Sequence, residues 1–207
     1  MHTGYDPNVR HDFDYWTVDK LVKWNSCDLL ELFHTLDAPD PEEMNGEFLV
    51  RYPLYREEEV QSFYSDPNGN GRGSHHLGKA LNPDLPHKDC NGEGYNWWLR
   101  GGKVERFSRF AWKIGPSTLD GRPALLADYC YFDNMSKNGQ MGQHDEMRRV
   151  KPNLYLCIAY DRVWPRPPFK FGWNFEENRS RETVFFLHGP VFPWQGVDCP
   201  EKEPEVE

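Results

Sequence analysis

Gly101-Gly102 separates two runs of alternating character, Tyr95 to Arg100 and Lys103 to Ile114. A two-residue glycine turn accepts the left-handed backbone angles that a tight hairpin requires, and its length fixes the register of the strands on either side. Setting Arg100 opposite Lys103 places Tyr95, Trp97, Leu99, Val104, Arg106, Ser108, Phe110, Trp112 and Ile114 on one side of the pleat. The other side carries Asn96, Trp98, Arg100, Lys103, Glu105, Phe107, Arg109, Ala111 and Lys113. A hairpin of this length must bury its aromatic side, which commits the centre of the chain to sheet. That side holds one cation, Arg106, directly across from Trp97, a combination suited to a planar or anionic ligand.

The flanking sequence repeats the strand pattern. Glu47 to Tyr52 reads as a first strand, and strands are expected at 123–133, 143–150, 154–162 and 182–188, with turns at Gly115-Pro116 to Asp120-Gly121, Lys137-Asn138-Gly139 and Pro152-Asn153. Helical spacing is confined to Thr17 to Leu36, where Val18, Leu21, Val22, Leu29, Leu30, Leu32, Phe33 and Leu36 predict one kinked helix or two short ones, with Thr17 and Ser26 or Asp28 as N-caps. Pro39 and Pro41 end it. Residues 56–91 are polar and include Asn68-Gly69-Asn70-Gly71-Arg72-Gly73, which predicts a long functional loop or lid. The expected organisation is a polar arm at 1–16, one domain at 17–197 and an acidic tail at 198–207.

Short strands in succession close most economically into an antiparallel barrel, which removes sheet edges and turns alternate residues inward. Only 38% of the 207 residues are hydrophobic while 15% are aromatic, so such a barrel must be filled by few, large side chains. A net charge of −9 without a segregated basic patch argues against nucleic acid as a partner. The five cysteines, Cys27, Cys90, Cys130, Cys157 and Cys199, are odd in number and irregularly spaced, as expected of free thiols in a reducing compartment. No positive region followed by an apolar one opens the chain, and no apolar run approaches the roughly 18 residues of a membrane span. A cytoplasmic protein that does not insert in membranes is the expectation.

Two short strings give a family resemblance. Asn45-Gly46-Glu47-Phe48, following the helical segment, resembles the Gly-x-Trp at the first strand of the lipocalin-like, or calycin, barrels, with Phe48 in place of the tryptophan. Ala127-Asp128-Tyr129 resembles their later Thr-Asp-Tyr, with Ala127 in place of the threonine, while Arg179 and Arg181 precede the last strand where the family's arginine follows it. Asp128-Tyr129 followed by Asp145-Glu146-Met147-Arg148 and Leu154-Tyr155-Leu156 is also similar to strings in uncharacterised bacterial lipocalin-like domains. The resemblance covers roughly residues 40–190. It implies a mainly β protein, an antiparallel lipocalin-like β-barrel with an N-terminal helical segment, that holds a small hydrophobic molecule.

On this reading Tyr95, Trp97, Phe110 and Trp112 wall the cavity, Tyr129 or Tyr131, Tyr160 and Phe185 complete it, and Arg106 with Ser108 fixes the polar or anionic end of the ligand. A buried Arg106 needs a partner, either the ligand or Glu146, Asp128 or Asp145. The alternative is a cofactor-independent isomerase, cyclase or dehydratase on the same pocket, with Asp128 or Glu146 moving the proton, a tyrosine or His188 as partner acid, and Arg106 stabilising negative charge. His144, Glu146 and Arg148 share one face of their strand and Asp145, Met147 and Arg149 the other, and a solvated charge ladder is the plain explanation for them. His75, His76, His87 and Cys90 lack zinc-ligand spacing, so no metal or other cofactor is expected, and His75, His76 and Lys79 read instead as lid residues. Trp98 and Phe107 on the second hairpin face suggest either an interaction surface or the seat of the N-terminal helix, the latter because that helix must bury its own leucines.

Overall fold

A computed structural model describes residues 16–65, 73–87, 89–129, 143–161 and 183–198. Its eight strands are β1 (Gly46–Arg51), β2 (His75–Asn82), β3 (Gly92–Arg100), β4 (Lys103–Pro116), β5 (Pro123–Asp128), β6 (Gln143–Lys151), β7 (Leu154–Asp161) and β8 (Thr183–Phe192). Each is antiparallel to its sequence neighbour and β8 closes on β1, giving a barrel in simple meander order. This is the mainly β barrel with an N-terminal helical piece that the strand spacing predicts, an arrangement consistent with calycin-like barrels.

The helical opening forms two pieces, α1 (Val18–Leu21) and α2 (Ser26–Thr35). Thr17 makes no side-chain cap; the cap of α2 is Asn25, whose side chain accepts from Asp28 N at 3.0 Å. Neither piece covers the hairpin. Leu21, Leu29, Leu32 and Phe33 pack with Leu156, Ile158, Val184 and Phe186 on the outer wall of β7 and β8. A 3-10 turn at Pro41–Glu43 leads into β1 and is tied to the barrel by Glu43, which receives Tyr155 OH at 3.1 Å and also pairs with Arg149.

Residues 56–91 are not one loop. They contain most of α3 (Leu54–Ser65) and all of β2. Strand β2 escapes pattern recognition because its inward positions include His76 and Lys79, and because a bulge between His76 and Gly78 breaks the alternation. Residues 130–133 of the expected fifth strand and the turn at 137–139 lie outside the described residues. No helix among the described residues is long and apolar enough to cross a membrane.

The hairpin has the expected register, Arg100 opposite Lys103 and Trp97 opposite Arg106. Its faces do not stay intact, because the register shifts between Gly94 and Asn96: Asn96 pairs with Phe107, but Gly94 pairs with Phe110. The extra residue lies at Ser108, whose φ of 65° is left-handed and whose buried Oγ has no hydrogen-bond partner. Beyond the bulge Phe110 and Trp112 point into the barrel. Before it, Trp98 and Phe107 point inward and stack at 5.3 Å, while Tyr95, Trp97 and Arg106 point outward. Gly92 and Gly94 let the two inward rings lie on bare backbone: a Cβ would sit 2.6 Å from Trp112 and 2.2 Å from Phe110.

Candidate functional site

The outward aromatic face is buried by the end of the described chain. Trp194 lies 4.5 Å from the Tyr95 ring, Gln195 N donates to Tyr95 OH at 3.1 Å, and Asp198 exchanges hydrogen bonds with the Arg106 backbone at 2.8 and 3.1 Å. Beneath this strap Arg106 Nε reaches Glu47 Oε1 at 2.6 Å, and Tyr95 OH donates to the same oxygen at 2.8 Å. Glu47 is fully buried and Arg106 half-buried, so the guanidinium supplies the partner that the buried carboxylate requires. Tyr95, Trp97 and Arg106 are therefore corrected from cavity wall to outer-wall packing. Ser108 is corrected from ligand contact to bulge residue.

The carboxylates expected to move a proton are outside as well. Asp128 pairs across from His144 and Leu126 from Glu146 on the outer side of β5 and β6, leaving Ala127 and Asp145 inside. Burial acts to raise the Glu146 carboxyl, but hydrogen bonds from His144, Ser117 and Thr118 outweigh it and hold the group below the usual glutamate value. Thr118 donates from N at 2.8 Å and from Oγ1 at 2.5 Å. A carboxylate fixed this way is an anchor for the β4–β5 turn, not a general acid. His188 lies opposite Leu49 on the outer wall, its pKa lowered by burial and by Arg51. The ladder of charges on β6 is solvated only at Arg149, which is partly exposed: Arg148 is fully buried against Asp120 and Phe33, and Asp145 is 2% exposed inside the barrel.

What the fold does bring together inside is Lys79 from β2, Asn96 from β3, Tyr129 after β5 and Asp145 from β6. Lys79 Nζ lies 2.8 Å from Asp145 Oδ2 and 2.8 Å from Asn96 Oδ1, and it also contacts Tyr129 OH. Tyr129 OH in turn lies 3.0 Å from Asn96 Oδ1 and 3.1 Å from Asp145 Oδ2. The rings of Phe110, Tyr129 and Phe185 surround the ammonium at 5.6, 5.1 and 5.3 Å. These rings come from opposite walls, so the lysine spans the interior.

Toward one end of the barrel lies His76, with Nδ1 2.6 Å from Tyr52 OH and Nε2 3.0 Å from Gly78 O. Burial, then the Lys79 charge, lowers its pKa well below the ordinary histidine value, so it stays neutral. Toward the other end the interior turns apolar, with Leu81, Trp112, Leu125, Met147 and Leu187 packed together. Cys157 lies in the same core, its thiol pushed well up by burial and then by Asp145. The polar cluster lies nearer the end served by the longest connections, 52–74, 129–142 and 162–182.

Of the residues expected around the ligand, Phe110, Trp112, Tyr129 and Phe185 thus meet inside. Tyr131 and the side chain of Tyr160 lie outside the described residues. Lys79 lies inside the barrel and not in a lid, and Asn96 and Asp145 join it there. Their parity carried a signal: Lys79 shares a face with Leu81, Asn96 with Trp98 and Asp145 with Met147. Among the described residues no group of three or more His, Cys, Asp or Glu is arranged to hold a metal ion.

No family model matches the chain and no curated protein matches it. One solved structure, titled crystal structure of protein from Thermomonospora curvata, aligns with 80% of this chain and 88% of its own at 12% identity and a TM-score of 0.46.

Proposed function

We propose that the barrel binds a small, mostly hydrophobic molecule in its interior, in the manner of calycin-like proteins, with the polar end of the ligand at Lys79, Asn96, Tyr129 and Asp145. The observation that carries this reading is the buried Lys79–Asp145 pair, 4% and 2% exposed, inside an otherwise aromatic and aliphatic interior. Packing alone does not call for such a pair, since well-packed apolar residues in place of a buried ion pair are often neutral or stabilising by about 1–4 kcal/mol. Apolar ligand surface is favoured in the interior by about 25 cal/mol per Å² removed from water. The free thiols Cys27, Cys90 and Cys157 suit a cytoplasmic setting, and the net charge of −9 argues against nucleic acid as a partner.

Trp98 and Trp112 face inward and serve as reporters. Titration of the purified protein with retinol, geraniol and decanoic acid is expected to quench tryptophan emission saturably for at least one of them, with a matching mass increment in native mass spectrometry. Absence of saturable quenching and of any bound mass across the panel rejects the reading.

The contact of Tyr129 OH with both Lys79 and Asp145 favours one second reading, a cofactor-independent isomerase, cyclase or dehydratase. In it Asp145, rather than Asp128 or Glu146, carries the proton and Tyr129 relays it. Retained binding with turnover lost in Asp145→Asn distinguishes this from simple binding.

A further inference from the structure

Lys79 is the buried lysine among the described residues; Lys20, Lys23, Lys103 and Lys113 are exposed and Lys151 is half-buried. Its ammonium has a carboxylate at 2.8 Å, a phenol in contact and three aromatic rings around it. This arrangement restricts what polar end a ligand can bring. Lys79 and Asp145 carry opposite charges, so a ligand carboxylate beside them adds an uncompensated negative charge to a low-dielectric interior, at a cost of several kcal/mol. A neutral carbonyl adds none.

From this geometry we infer that Lys79 condenses with the aldehyde end of an apolar ligand, forming a protonated imine whose counterion is Asp145. The inference rests on the binding reading above and names its ligand class. The ammonium passes one proton to Asp145, and the freed amine attacks the carbonyl carbon, so that a C–N bond forms. The carbonyl oxygen leaves as water with two of the three ammonium protons, and the third, returned through Asp145, stays on the imine nitrogen. One cation therefore replaces another. The ion pair persists, the rings of Phe110, Tyr129 and Phe185 face an iminium where they faced an ammonium, and no new charge is buried.

The test uses the full chain with decanal and cinnamaldehyde, each with sodium cyanoborohydride, and the matching alcohols decanol and cinnamyl alcohol as non-condensing probes. With at least one aldehyde, intact mass is expected to rise by the aldehyde less one oxygen atom. Peptide mapping is expected to place the adduct on Lys79, formed at least about tenfold faster than on exposed lysines and slowed by the alcohol. Lys79→Arg keeps a cation opposite Asp145 and is expected to lose the adduct. If the alcohols quench but the Lys79 peptide stays unmodified, the imine is wrong and the binding reading stands. If neither aldehydes nor alcohols quench, both are wrong.

Discussion

Lys79 Nζ and Asp145 Oδ2 lie 2.8 Å apart across the inside of the barrel, one from β2 and the other from β6, with almost no surface exposed. Lys79→Met leaves a buried carboxylate without its cation, and about 3–5 kcal/mol of stability is expected to be lost. Lys79→Met with Asp145→Asn removes both charges and is expected to recover most of that loss. Urea unfolding of the four members of this cycle measures the coupling. Equal destabilisation by the single and double variants contradicts the pairing.

Arg106 lies on the outer wall of the barrel, so Arg106→Ala is expected to leave ligand binding in the interior unchanged. It is nonetheless expected to destabilise the fold by about 2–4 kcal/mol, because Glu47 stays buried beneath the strap without its partner. Parallel binding titrations and chemical denaturation check the two halves. Binding lost at full stability returns Arg106 to the ligand.

Ser108 adopts φ of 65° with an unpartnered buried Oγ. Ser108→Gly is expected to raise stability by about 0.5–1 kcal/mol, and Ser108→Val to lower it by about 1–3 kcal/mol, since a β-branched residue is strained at left-handed angles. Thermal denaturation of the pair reads the sign. Deleting Ser108 leaves one residue between Phe107 and Phe110 opposite Tyr95, and is expected to remove the bulge while keeping Phe110 and Trp112 inward.

Acid is expected to weaken the fold through Asp120. Its carboxyl is held well below the usual aspartate value, first by hydrogen bonding to Arg148, against some burial, and then by His34. A depressed folded-state pKa means that stability is present above the unfolded value of 3.8 and is lost as pH falls below it toward the folded value. Asp120→Asn is expected to cost about 1.5–3 kcal/mol at neutral pH and to flatten the stability profile below pH 4. Urea midpoints across that range measure both; an unaltered profile places the acid sensitivity elsewhere.

His76 adds a second source of acid sensitivity, at higher pH. Its folded pKa lies below the ordinary 6.5, so the unfolded chain binds a proton that the native chain refuses, and stability falls as pH drops through 6.5. His76→Gln is expected to reduce that slope between about pH 7 and 5, leaving the part that His188 contributes. Unfolding midpoints at those pH values decide it.

The chain's local chemistry was sufficient for the outline of the fold. Gly101-Gly102 set the hairpin register, alternation marked most strands, and apolar spacing marked the N-terminal helices, because each of these is a contact between residues close in sequence. Strand β2 and the face of the hairpin were not legible. The lone residue Ser108 divides what reads as one aromatic face, and nothing in its neighbours announces a left-handed angle. Nor does local alternation say which side of a sheet is inside: Trp97 is covered by a strap from the far end of the chain, and Lys79 is tolerated inside because Asp145 arrives from a strand distant in sequence. Closure of the barrel decides those burials, since the cost of each inward charge depends on partners that only the folded chain supplies.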